Sequence, residues 1–351
     1  LVWVRGKGIV IREPSVVAMH KKTKKVIAIG SEAKSMLGKT PASILTIKPL
    51  KHGVISDFDA TLGMISHFVH QVHEFGALPV HFARPKVVIG IPSSVTEVER
   101  RAVWEAALAA GAREAFLIEE PMAAAIGEGI SVFAPKGAMV VDIGGGTTEI
   151  AVISLGGIVV SRSLRLAGED MDQAILHYIR LRHGILLGER TAEELKIKIG
   201  SAYKKSEKRK AKSEKIDDTK EDQKIQVGEE KGEKLAIVRG RDIETGLPKS
   251  IRIGESEVRE ALASVLSRII EEVADVLEES PPELTSDILE HGILLAGGGA
   301  LLSGIDQLIV ERIHMPVVTA QDPLTTVVRG TGKVLEDPVL LQRVRVTGGL
   351  R

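Results

Sequence analysis

MVVDIGGGTTEIAVIS, residues 139–154, is the stretch on which the fold turns. An apolar run ends in Asp142, the chain turns through Gly144, Gly145 and Gly146, and β-branched residues resume. Gly156 and Gly157 then lead into a further apolar segment, so the spacing predicts strand, turn, strand, turn, strand. Neither GxGxxG nor GxxxxGK[ST] fits, and in those fingerprints the glycines join a strand to a helix. Three adjacent glycines let successive backbone N–H groups converge on an anion, because no Cβ stands in the way. Asp142 can hold a hydrated Mg²⁺, and Thr147 and Thr148 add hydroxyls. A plain hairpin would need only a two-residue turn, so the pattern favours a phosphate.

Composition narrows the class. With 351 residues the chain can form two domains or one bilobal unit. It is 44% apolar but 3% aromatic, so its cores must be filled by Val, Ile, Leu and Ala. Lys+Arg and Asp+Glu balance at 47 each, which leaves no global field to draw in nucleic acid. Without cysteine, disulfides and thiolate metal sites are excluded, which suits a reducing compartment. No apolar run reaches the length of a membrane span.

Outside the hairpin, residues 2–11 read as two short strands, and 16–38 as strand, basic turn, strand and short helix. Residues 39–53, with Pro41 and Pro49, read as a connector. Helical spacing runs from Asp57 to about Phe75. His67, His70, His73 and His81 cluster there, and a solvated helix face accounts for them better than a metal site. In the loop 76–85, Leu78, Val80 and Phe82 either fold back onto the core or touch a partner or membrane surface.

Thr96 and Glu99 form a capping box for a helix running to Gly111. Glu120 lies between a strand and a helix with Pro121 in its first turn. It can serve as a dipole partner or as a water-activating base, and the local sequence leaves both open. Gly168 lies in the start of the next helix. Thr191 and Glu194 suggest a second capping box for 192–199, where Glu193 and Lys196 share a face as a surface ion pair. Residues 204–234 read as a mobile, mixed-charge insert. A long amphipathic helix ends at Pro281-Pro282, and the second glycine run, Gly297, Gly298, Gly299 and Ala300, is expected to open a helix. Two glycine runs about 150 residues apart suggest two lobes closing on one nucleotide.

Several segments together resemble a known family. They are GKGIVIREPSVVA (6–18), KPLKHGVISDF (48–58), IEEPMAAAIG (118–127), VVDIGGGTTEIAVISLGGIV (140–159), GERTAEELKIKIG (188–200), GRDIETGLPK (240–249) and PPELTSDILEHGILLAGGGALL (281–302). The chain resembles the actin, sugar-kinase and heat-shock-chaperone ATPase superfamily, and within it the bacterial actin homologues of the MreB/Mbl type. The resemblance implies an α/β, actin-like two-lobed ATPase fold of duplicated ribonuclease H-like βββαβα domains with two small inserted subdomains. The large subdomain of lobe I would comprise 1–17, 53–138 and 317–351, and its small one 18–52. Lobe II would comprise 139–185 and 251–316, with 186–250 as its small subdomain.

The resemblance also assigns roles, with ATP and Mg²⁺ as cofactors. Asp142 would organise Mg²⁺, and Gly144, Gly145, Gly146 and Thr147 would wrap the phosphates. Glu120 and Thr147 would position the attacking water. Gly168, Glu193, Glu194 and Lys196 would lie on the ribose and base side, and Gly297, Gly298, Gly299 and Ala300 along the adenine. The family's first phosphate hairpin would precede Leu1. Lys198 stands where the family usually has an acid, and Glu169-Asp170 reverse the common order. The expected function is a slow, polymerisation-coupled ATPase that forms filaments with itself, on the inner face of the cytoplasmic membrane. Its partners would be membrane proteins of cell-wall synthesis, and its role the maintenance of rod shape. A soluble sugar-type kinase or a chaperone-type ATPase of the same superfold is the alternative.

Overall fold

The computed structural model describes residues 1–74, 84–204, 225–230 and 232–346. Its centre is a five-stranded sheet in the order Gly157–Leu164, Thr148–Ser154, Ala138–Ile143, Ile293–Ala296 and Val317–Thr319. The first three strands are antiparallel neighbours, and the last two join in parallel. Every residue of Thr148–Ser154 is buried, as are Met139 through Ile143. Strands covered on both faces read as continuous apolar runs rather than clean alternation, which is what 139–143 and 150–153 show.

The two faces of this sheet belong to different cores. Met139, Val141, Ile143, Ile150 and Val152 face the long helix Glu255–Glu279 and the helix Gly168–His183. In the long helix, Val258, Leu262, Val265, Ile269, Val273 and Val276 form one buried stripe. At roughly 1.5–3 kcal/mol per side chain, that stripe is a principal anchor of lobe II. Val140, Ile153, Leu294 and Ala296 point the other way, into a core shared with the helix Glu120–Glu128 of lobe I.

Lobe I is assembled from smaller pieces. Lys86–Ile91 and Glu114–Glu119 pair in parallel, and Val2–Val4 pairs with Gly8–Ile11. The helices Glu120–Glu128 and Thr326–Glu336 cross so closely that a Cβ on Gly127 would collide with the Thr326 carbonyl, and one on Gly330 with that of Ala123. Lys333 donates to the carbonyls of Ile126 and Gly127, at 2.9 Å each, where the first helix leaves carbonyls unpaired. A separate sheet, ordered Val26–Ile29, Val17–His20 and Ile44–Ile47, carries the short helix Ser31–Met36. The expected two-lobed actin-like α/β fold is therefore present.

Several local expectations are corrected. Residues 39–53 are more than a connector: Ile44–Ile47 is a strand paired with Val17–His20, and Leu50–Lys51 pairs with Val54–Ile55. The helix expected from Thr191 begins earlier, at Glu189 after Gly188, without a side-chain cap. The Thr96–Glu99 capping box is present, on helix Glu97–Ala109. The charged stretch 204–234 ends in ordered structure, because Ile225–Glu230 and Glu233–Asp242 form a hairpin. Ile225 and Gly228 are buried there, and sparse apolar contacts were enough to order a segment that composition marks as solvated. The glycine run 297–299 opens a 3₁₀ turn, Gly298–Leu301, and the α-helix starts only at Ile305. Leu78, Val80 and Phe82 lie outside the described residues, as does most of the charged insert.

Candidate functional site

The glycine hairpin has all its carbonyls committed. Gly168 N–H donates to the Gly144 carbonyl at 3.1 Å, and Glu169 N–H to that of Gly145 at 2.7 Å. The Gly146 carbonyl lies 3.3 Å from Nδ1 of His52. Gly144 N–H is used internally, donating to the Thr147 carbonyl at 2.8 Å. Among the described residues the N–H groups of Gly145, Gly146 and Thr147 have no backbone acceptor. A tight turn whose acceptors are satisfied and whose donors are left open has the donor pattern of an anion-binding nest. Nothing lies within 4 Å of a Cβ placed on Gly145, so that side of the turn faces open space.

Lobe I closes over the hairpin with a turn that sequence reading passed over. His52 (φ 47°) and Gly53 (φ 74°) connect two short strands. A Cβ on Gly146 would lie 3.1 Å from His52 N, and one on Gly53 would press on Pro92 and Thr147. Both glycines are needed for this approach. The clue available in the sequence was Gly53 between Leu50-Lys51 and Val54-Ile55, since glycine punctuates tight turns.

Beneath the nest is a cluster of carboxylates. Asp142 and Glu149 are directly opposite in the antiparallel ladder and so share the face turned towards lobe I. Glu120, at the start of its helix, meets them from the other side. Protein atoms crowd the Glu120 carboxyl, although part of the residue stays open to the cleft, and this desolvation, with the charges of Asp142 and Glu149, pushes its pKa to about 8. Burial, and then Glu149, pushes Asp142 to about 7. Glu149 is also raised by burial, against hydrogen bonds from the Ser163 hydroxyl and from Ser93 N–H at 3.0 Å. Among the described residues neither Glu120 nor Asp142 forms an ion pair. Acids raised by crowding with no counter-cation have the chemistry of a site that accepts positive charge. No group of three or more His, Asp or Glu among the described residues is placed to hold a metal by itself, so a cation here needs oxygens from a ligand or water.

The other expected site residues divide into two groups. Gly297 (φ 79°) is brought against Asp142: a Cβ there would strike Asp142 Oδ1 and the Ile143 carbonyl. Gly298 approaches Leu324, Gly299 backs onto Ile143, and Ala300 is buried. Lys196 reaches the hairpin side, donating to the Gly168 carbonyl at 2.7 Å and pairing with Asp172 at 2.8 Å. Asp172 has its pKa raised to about 6 by burial, which Lys196 partly offsets. The expected Glu193–Lys196 surface pair is thus replaced, since Glu193 bonds Lys34 of lobe I instead, at 2.7 Å. Glu194 pairs with Arg190 at 2.8 Å, one turn earlier on its own helix. His67 packs tilted against Phe68, with ring centroids 5.8 Å apart.

Known proteins resemble this chain along most of its length. The sequence model of the MreB/Mbl protein family matches residues 1–220 and 213–343. The chain is 47% identical over 340 residues to the cell shape-determining protein MreB of Escherichia coli K12, covering 96% of this chain and 90% of that one. It is 44% identical over 337 residues to the cell shape-determining protein Mbl of Bacillus subtilis, covering 96% and 92%. Among solved structures, MreB5 of Spiroplasma citri bound to ADP superposes with a TM-score of 0.83 at 36% identity, covering 96% and 92%. The same protein bound to AMPPNP gives 0.82. The MamK double helical filament, at 22% identity and TM-score 0.73, shares the fold.

Proposed function

The chain belongs to the MreB/Mbl protein family, and on that premise we propose that it is an ATP-dependent, actin-like cytoskeletal protein whose filaments maintain rod shape. The observation that carries the nucleotide part is the hairpin in which three carbonyls are held and the N–H groups of Gly145, Gly146 and Thr147 are open. In this reading those amides take the phosphates. Lys196 and Glu193 face the ribose and base side, and the 297–300 turn lines the adenine. The four-subdomain division set out from the resemblance belongs to the same proposal.

The acid cluster fits Mg²⁺, because Asp142 and Glu120 carry raised pKa values and no protein cation answers them. Asp142 would organise the ion, which would supply positive charge against the phosphates. Glu120 and Thr147 orient the attacking water. A carboxyl with a pKa near the working pH suits proton acceptance, and phosphoryl transfer to water needs positioning more than covalent chemistry. Slow hydrolysis coupled to assembly follows.

Among the described residues no helix is long and apolar enough to cross a membrane. A surface mode through Leu78, Val80 and Phe82 would be weak for one copy and firm for a polymer displaying many. In this proposal the protein works on the inner face of the cytoplasmic membrane, beside the membrane proteins of cell-wall synthesis. Sedimentation with Mg·ATP, run beside assays of phosphoryl transfer to sugars, tests the function. ATP-dependent pelleting without sugar phosphorylation is expected. Sugar phosphorylation without polymer would make it a kinase.

A further inference from the structure

The junction between the small sheet of lobe I and lobe II is ionic. Apolar clusters around that sheet draw on Val16, Ala18, Ala28 and Ala33, and on Val17, Met19, Ala60 and Met64, with no residue from lobe II. Across the cleft, Lys34 of helix Ser31–Met36 reaches both carboxylate oxygens of Glu193, at 2.9 and 2.7 Å. Lys48, just after strand Ile44–Ile47, reaches Glu169 at 2.9 Å and Glu189 at 3.9 Å. The lysine side chains keep 35% and 31% of their surface, so both contacts can break without exposing a core.

The acceptors are placed on the elements that hold the nest. Glu169 is the residue whose N–H fixes the Gly145 carbonyl. Glu193 shares a helix with Lys196, which fixes the Gly168 carbonyl. Closing the two lysines on these carboxylates therefore joins the lid of the cleft to the mounting of the phosphate turn. We propose that Lys34 and Lys48 form an ionic clasp across the cleft, and that its opening sets the rate at which nucleotide leaves. The gating half of this proposal rests on the nucleotide reading above; the closure half does not.

Because the chain has no cysteine, spin labels can be placed cleanly at Ser35→Cys and Ile197→Cys, both exposed positions on the two clasp helices. Pulsed electron-spin distance measurement on the nucleotide-free protein should give a short, narrow distribution. Lys34→Ala with Lys48→Ala should lengthen and broaden it, as should salt at about 1 M, where the screening length falls to about 3 Å. The charge-reversed pair Lys34→Glu with Glu193→Lys should restore the short distance on a Lys48 background. In parallel, a fluorescent ADP should leave the double alanine variant about three- to tenfold faster, the range expected for partly exposed ion pairs. An unchanged distance in the double variant overturns the clasp. A changed distance with unchanged release overturns the gating. A lengthened distance in the double variant, with no ADP bound by the wild type, supports the clasp and sinks the nucleotide reading instead.

Discussion

In lobe II the glycine hairpin hangs from the middle of a five-stranded sheet, between strands buried along almost their whole length. Lobe I meets the same cleft with the ends of elements: the first residue of helix Glu120–Glu128, the His52–Gly53 turn, and two lysines beside a small separate sheet, Lys34 on its helix and Lys48 just after its last strand. The first arrangement fixes a cradle through a core, so binding and folding share residues. The second positions groups through a few polar contacts and one tight helix crossing, so they can move without unfolding the lobe. On the proposed function, lobe II is the side that holds the nucleotide, and lobe I the side that acts and opens.

The largest effect should come from the cradle. Gly297→Val forces a β-branched residue into a left-handed conformation and drives its Cβ into Asp142 and the Ile143 carbonyl. The expected outcome is loss of ATP binding together with marked loss of thermal stability. A folded variant with wild-type affinity would break the claim that binding and folding are fused there. Gly330→Ala should be smaller, since the crossing helices must separate at Ala123. Overpacking of this kind costs about 1–3 kcal/mol. Chemical denaturation should show that loss, and hydrolysis should fall more than nucleotide affinity because Glu120 moves with its helix.

The smallest effect sharpens the acid cluster. Glu120 and Asp142 have pKa values raised to about 8 and about 7, so the folded protein keeps protons that the unfolded chain has lost. Without nucleotide or Mg²⁺, stability should therefore fall as pH rises from the ordinary carboxylate range through 8, by up to about 1.4 kcal/mol per pH unit for each group. Glu120→Gln removes one of the two contributions. Its unfolding free energy should decline less steeply with pH and exceed that of wild type above about pH 8, by on the order of 1 kcal/mol after allowance for solvent at the cleft. Parallel pH curves would mean that Glu120 is ionised and unstrained in the empty site.

The comparison also explains what could be read in advance. The hairpin, its flanking strands and the stripe of the long helix were legible because local residues dictate them: glycines at the turn and apolar residues at strand or helix period. Strand Ile44–Ile47 was hidden between prolines because its partner Val17–His20 is distant in sequence, and Ile225–Glu230 was hidden by its charged run although its hairpin partner follows directly. Thr191 and Glu194 had the spacing of a capping box, but helix Glu189–Ile199 had already begun, and Glu194 was taken by Arg190. Glu120, Asp142 and Thr147 could be singled out as candidates in the sequence. The partners His52, Lys34 and Lys48 could not, because their contacts cross between lobes, nor could Glu149, whose place opposite Asp142 depends on the hairpin register. Lys34 and Glu193 are 159 residues apart, and no local pattern pairs them.

Parallel titration calorimetry and single-turnover hydrolysis on wild type, Glu120→Ala and Asp142→Ala test the division between holding and acting most directly. Glu120→Ala should bind Mg·ATP within a few-fold of wild type while hydrolysis slows about 10²–10⁴-fold, the usual contribution of a positioned base. Asp142→Ala should lose Mg·ATP affinity itself. Wild-type hydrolysis by Glu120→Ala, or wild-type affinity in Asp142→Ala, would contradict the account.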